Sequence, residues 1–223
     1  MAGRFAALVT AGGRGTRIAE LGAEKPLVEV LGRKLIDRAI DIATSSDRAS
    51  AVYVSTSEHT PLTESYLEGR DVRVIRTSGR GYVEDLHDIM RAIEEEAVVI
   101  IPVDMPLITP DSMRSLISSY ISEGKASLTV ALDPATVRSL GLDVTHTEVM
   151  GGREVTFCGV SVVRREDMLK DDYIEAAYLF TDSIDFAVNV NTSKDLAIAE
   201  GILEKRNGQG VSGGYFAPVI RRS

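Results

Sequence analysis

The chain has 223 residues, 44% hydrophobic and 26% charged, with a formal net charge of −8. That balance fits one globular domain whose core needs no cross-links, and it excludes a disordered chain or a basic nucleic-acid surface. Its one cysteine, Cys158, excludes an internal disulfide and a cysteine zinc site, and its three histidines, His59, His87 and His146, lack metal-ligand spacing and read as surface or structural residues.

Phe5–Thr10 reads as a first strand. It is too short for a signal-peptide core, and no apolar run approaches the ~20 residues of a membrane span, so a soluble, cytoplasmic protein is expected. The strand runs into Ala11-Gly12-Gly13-Arg14-Gly15-Thr16-Arg17, with Glu24-Lys25-Pro26-Leu27 shortly after. Glycines let backbone N–H groups approach a ligand, and guanidinium and ammonium groups add charge around such an anion site. The combination suits a polyphosphate. It is not a Walker loop, since no lysine follows the last glycine, nor a dinucleotide fingerprint, since Ile18 stands where a third glycine belongs.

Leu35–Thr44 has apolar residues at 35, 36, 39, 40 and 43, a helical period. Ala51–Ser55 is a second strand, followed by a helix start at Thr60, Pro61 and Glu64; Val72–Arg76 is a third strand. Thr77-Ser78-Gly79-Arg80-Gly81 then leads into a helix over Tyr82–Glu96. Its hydroxyls and N–H groups suit a base edge, and equally an ordinary connecting loop. Ala97–Ile101 is a continuous β-branched run, as in a strand buried on both faces. Asp104 follows it within Pro102-Val103-Asp104-Met105-Pro106, where a carboxylate either serves Mg²⁺ or starts a turn.

Pro110–Ser122 is a helix and Ala126–Leu132 a strand; Asp133–Gly152 is an accessory segment, and Val155–Val163 returns as a strand interrupted by Gly159. Phe186–Val190 reads as a last strand ending at Asn191, which completes a metal shell, binds phosphate or is an ordinary cap or turn asparagine, and Ser193–Lys205 is a helix capped by Ser193. Residues 1–206 form the domain, and the glycine-rich 207–223 is expected to be a mobile tail. The alternation predicts an α/β fold: a single-domain, Rossmann-like, mostly parallel sheet flanked by helices. Ligands of such sheets sit at the carboxyl ends of the strands. With no serine elbow and no catalytic histidine pair, amides, arginines, a lysine and a metal carboxylate point to phosphoryl or nucleotidyl transfer.

Leu8–Arg17, Glu24–Leu27, Asp104 and Val188-Asn189-Val190-Asn191-Thr192 resemble the nucleotidyltransferase superfamily that includes molybdenum-cofactor guanylyltransferases and sugar-nucleotide pyrophosphorylases. Within it, Val54–Ser57, Thr77–Leu86 and Gly159 resemble the archaeal-type GTP:adenosylcobinamide-phosphate guanylyltransferases. The resemblance implies a nucleotide-diphospho-sugar-transferase-like fold and transfer of GMP from GTP to a corrinoid phosphate acceptor, releasing pyrophosphate. It assigns Gly12, Gly13 and Gly15 to the phosphates and counts Thr16 among the nucleotide-binding residues. Arg14, Arg17 and Lys25 receive the neutralisation of charge, and Asp104, with Asn191, receives Mg²⁺. Thr77, Ser78 and Gly79 go to guanine or ribose, and Gly159 to leaving room for the ligand. Alternatives are another phosphate acceptor, such as molybdopterin or a phospholactate-like acid, and a non-catalytic nucleotide-binding protein. A homodimer is compatible with the resemblance, and no nucleic-acid partner is expected.

Overall fold

The computed structural model describes residues 4–16, 22–45, 48–170, 174–209 and 220–221. β1 (Phe5–Thr10) alternates strictly: Phe5, Ala7 and Val9 pack into one apolar cluster, and Ala6 and Leu8 into another on the opposite face. β6 (Ala97–Pro102) does the same, with 97, 99 and 101 on one side and 98 and 100 on the other. A strand buried on both faces has no polar side to show, which is why its sequence is continuously apolar.

β4 (Ala49–Thr56), β5 (Arg73–Arg76) and β6 extend the sheet in parallel around β1. β7 (Ser127–Leu132) and β10 (Ala176–Thr181) form a second parallel pair. Between β6 and β7 lies β9 (Arg153–Arg164), antiparallel to both. The order along the sheet is β5, β4, β1, β6, β9, β7, β10, with Ile220–Arg221 (β11) pairing antiparallel to β10 and β8 (Glu148–Met150) to β9. A short hairpin joins β2 (Glu29–Val30) to β3 (Arg33–Lys34).

One face is covered by α1 (Leu35–Thr44), α4 (Pro110–Glu123), α5 (Pro134–Ser139) and α7 (Ser193–Gln209), the other by α3 (Tyr82–Ala92) and α6 (Arg165–Met168). The α/β reading therefore holds. α4 begins with Thr109 in a capping box with Ser112 and Pro110 in its first turn, and ends at Gly124 with φ +62°. Behind that cap, buried Asp185 accepts from Thr109 Oγ1 at 2.7 Å and pairs with Arg206 at 2.5 Å. No described helix is long and apolar enough to cross a membrane.

The structure corrects three readings of local order. Phe186–Val190 is not a strand: Ile184–Phe186 is a 3-10 turn, and the chain then runs irregularly to α7. The strand of this region is β10, earlier in the chain. The N-terminus of α2 (Pro61–Tyr66) is not capped by Thr60, whose hydroxyl accepts instead from the Ser57 N–H at 3.1 Å. Glu24 supplies that cap, accepting from the N–H groups of Leu62 and Thr63 at 2.7 Å each. At α7 the cap is Thr192 rather than Ser193: Asp195 accepts from the Thr192 N–H, and its own N–H donates to Thr192 Oγ1. Of the tail, 210–219 and 222–223 lie outside the described residues.

Candidate active site

Parallel strands deliver β1, β4 and β6 side by side with their carboxyl ends at one edge, so the loops that follow meet there. Val103 N–H donates to Thr10 O, and Ala11 N–H to Ser55 O, tying the three exits together. The loop after β1 enters this edge through Gly12, where an added Cβ would stand 3.2 Å from the Thr56 backbone and 3.3 Å from Ser57 Cβ. Ser57 Oγ donates to Gly12 O at 2.6 Å and fixes the loop against β4. Gly15 takes φ +57°. Among the described residues, the N–H groups of Gly12, Gly13 and Arg14 have no hydrogen-bond acceptor. Free amides on a glycine loop are what a phosphate site requires.

Gly12, Gly13 and Arg14, but not Gly15, line a cavity of about 280 Å³ together with Lys25, His59, Thr77, Gly79, Tyr82, Asp85 and Asp104. Arg14 reaches His59, whose Nε2 accepts from Nε at 3.2 Å. Thr16 is exposed at the edge of the described loop, and Arg17 lies outside the described residues. Thr77 lines the cavity, with its hydroxyl donating to Thr56 O. Ser78 Oγ and the Gly79 N–H both donate to Asp85 Oδ1 at 3.0 Å. Gly159, φ +87°, sits in a bulge of β9 with its missing Cβ facing Pro102 Cγ at 3.0 Å, so packing against Pro102 already demands glycine there.

Lys25 and Asp104, 79 positions apart, form an ion pair whose side chains are each 14% exposed. Lys25 Nζ also donates to Asn191 Oδ1 at 2.9 Å, while Asn189 Nδ2 donates to the other Asp104 oxygen at 3.1 Å. The backbone secures this: Val190 N–H donates to Asp104 O at 2.9 Å. Thus Asn191 reaches the site from an irregular segment pinned to Asp104, not from a strand end. The ammonium sits where a carboxylate oxygen and an amide oxygen converge. That donor set fits Mg²⁺, which takes one or two carboxylates and completes its shell with water and substrate phosphates. Among the described residues no three His, Cys, Asp or Glu side chains are placed to hold a metal ion together, so a metal here would lean on its substrate.

Asp104 has a second neighbour. A second cavity, of about 710 Å³, is lined by Val137, Leu142, Phe157, Asn189, Asn191 and Lys194 among others, and Asp104 lines both cavities. Asn189 and Asp85 lie within segments the sequence singles out but receive no role of their own there, and His59, read from sequence as a surface or structural residue, lines the cavity. Asn189 carried a signal, standing two positions before Asn191 in a buried apolar run. His59 carried none, and burial gives no clue to Asp85 in the first turn of α3.

Two cavities that meet at one carboxylate, a cation-lined glycine loop and this sheet order define a nucleotidyltransferase. The chain belongs to the MobA-like NTP transferase domain family, whose pattern spans residues 7–142. It is 29% identical over 209 residues to the adenosylcobinamide-phosphate guanylyltransferase of Methanocaldococcus jannaschii, covering 89% of this chain and 97% of that protein. Its fold is that of the CTP complex of CMP:2-keto-3-deoxy-manno-octonic acid synthetase, with a TM-score of 0.69 at 13% identity over 91% of this chain and 99% of that one. It also matches 4-diphosphocytidyl-2C-methyl-D-erythritol synthase from Anaerococcus prevotii, with a TM-score of 0.63 at 12% identity over 92% and 100% of the two chains.

Proposed function

We propose that the chain transfers GMP from GTP to adenosylcobinamide phosphate, giving adenosylcobinamide-GDP and pyrophosphate, a step of cobalamin assembly. The observation that carries the reading is Asp104, which lines both cavities. A transfer between two bound substrates needs both held on either side of one reacting phosphorus, and that shared lining residue supports such an arrangement. The nearly full-length similarity to a guanylyltransferase of this acceptor supports the choice of GTP and corrinoid.

GTP enters the smaller cavity with its phosphates on the amides of Gly12 and Gly13. Arg14 and Lys25, joined by Arg17, neutralise charge on the α-phosphate and the departing pyrophosphate. The acceptor presents its phosphate from the larger cavity. Its oxygen attacks the α-phosphorus in line, a P–O bond forms, and the bond to the bridging oxygen of the β-phosphate breaks. A phosphate monoester is already ionised near neutral pH, so the step demands no general base, which agrees with a site built from cations and amides. Asp104 and Asn191 would hold Mg²⁺, which supplies further neutralisation of phosphate charge when bound.

Pyrophosphate release is the test, with GTP and adenosylcobinamide phosphate, and separately with molybdopterin and 2-phospholactate. Release with the corrinoid alone is expected. Release only with another acceptor replaces the acceptor, and GTP binding without release for any of them reduces the chain to a nucleotide-binding protein.

A further inference from the structure

Asp85 and Asp104 are the two carboxylates of a cavity that also gathers cations and free amides; Asp104 is paired with Lys25, whereas Asp85 has no ion-pair partner among the described residues. Such a group repels phosphate, so it belongs to the other end of a bound nucleotide. Its surroundings agree. α3 lines the cavity with Tyr82, Leu86 and Ile89 beside Asp85, three apolar surfaces suited to a flat base.

The carboxylate is also held in place. Oδ1 accepts from Ser78 Oγ and from the Gly79 N–H, both at 3.0 Å. Gly79, at φ +66°, lies so close to Ser57 and His59 that a Cβ would stand 3.3 and 3.2 Å from them. Ser57 is the residue that holds Gly12 O. The loop after β5 thus packs against the same Ser57 that holds the phosphate loop after β1. Oδ2 has no donor among the described residues.

We infer that Asp85 selects the base, with Oδ2 accepting from the N1–H and N2–H₂ of guanine. An ionised carboxylate only accepts hydrogen bonds. Guanine offers two adjacent donors on that edge, whereas adenine and cytosine set a ring acceptor beside one amino group and uracil sets its single N–H between two carbonyls. This rests on the guanylyl reading above.

The experiment measures dissociation constants of the full chain for GTP, ITP, XTP, ATP, CTP and UTP, for the wild type and for Asp85→Asn. Asparagine keeps an oxygen for Ser78 and Gly79 and puts an N–H₂ donor where Oδ2 was. The wild type should bind GTP at least about tenfold more tightly than ITP, which lacks the N2 amino group, as expected for one hydrogen bond to a charged group. Asp85→Asn should weaken GTP by about 10- to 100-fold, bring GTP and ITP within about threefold of each other, and raise affinity for XTP, whose C2 carbonyl accepts from the new amide. Preference of the wild type for ATP, CTP or UTP overturns the guanylyl reading and this inference together. GTP preferred over those three, with equal wild-type binding of GTP and ITP or an unchanged GTP:ITP ratio in Asp85→Asn, overturns only the role of Asp85. If the variant does not fold, equal wild-type binding of GTP and ITP still overturns the role of Asp85.

Discussion

Replacing Lys25 with alanine separates the structural from the chemical use of the site. In the folded chain its ammonium pairs with Asp104 and donates to Asn191 Oδ1 at 2.9 Å. Removing it leaves one Asp104 oxygen with the Asn189 amide and the other without a donor among the described residues. An uncompensated charge in a dry interior costs about 3–5 kcal/mol. The Asp104 side chain is 14% exposed rather than dry, and the loss should fall to about 1–2 kcal/mol. For a chain of this size that is a drop in Tm of roughly 2–8 °C. Domains have about 5–15 kcal/mol in hand, so the variant stays folded at assay temperature. Turnover should nevertheless fall at least ~100-fold, the scale of losing one preorganised charge at a transition state. Differential scanning calorimetry gives the first number and pyrophosphate release under saturating GTP and acceptor gives the second. The expected drop in Tm with kcat within about threefold of wild type would show that Lys25 only fills the seat beside Asp104, and would refute its role in transfer.

Gly12→Ala should cost about 1–3 kcal/mol in urea unfolding, because the new methyl meets the Thr56 backbone, which cannot yield. Gly13→Ala faces open space and should stay within about 0.5 kcal/mol of wild type; equal losses would refute the assigned packing of this loop. Arg206→Ala strands Asp185, 2% exposed, and should lower stability by about 3–5 kcal/mol, against a refuting loss below about 1 kcal/mol. Burial pushes the Cys158 thiol up from 9.0 to about 12. The folded chain should therefore resist iodoacetamide at pH 8 and react once denatured, as read by mass spectrometry. The same shift contributes stability that is complete below pH 9 and is lost as pH rises towards 12, because only the unfolded thiol ionises in between; denaturant titrations unchanged over that window would contradict it.

Much of the fold was legible because it is written locally. The alternation within β1 and the apolar run of β6 follow from burial on two faces, and α1 shows its buried side in its spacing. Phe186–Val190 misled for the same reason. Phe186, Val188 and Val190 are fully buried, and an irregular segment crossing the core needs the same apolar residues as a strand. β10 hid because Ala176, Tyr178 and Phe180 are only half-buried, so its pattern was muted. The glycine loop could be read as a phosphate site from its own residues. The meeting of Lys25, Asp104 and Asn191 could be read only through the family resemblance, since no spacing rule spans the 166 positions from Lys25 to Asn191, and the part of Asn189 was not read at all. The capping of α2 by Glu24 was hidden likewise, a long-range contact standing where local chemistry pointed to Thr60.

The antiparallel strand β9 imposes an order on assembly. β6 and β7 are consecutive core strands with no hydrogen bonds to each other; β9, made later, is the seam between them. Until residues 153–164 emerge from the ribosome, β6 shows a bare edge and β7 has no partner strand at all, because β10 comes later still. Exposed strand edges of this apolar kind invite pairing between chains. Nascent chains ending between residues 132 and 153 are therefore the aggregation-prone species of this protein, and the wall beside Asp104 closes only after that window has passed.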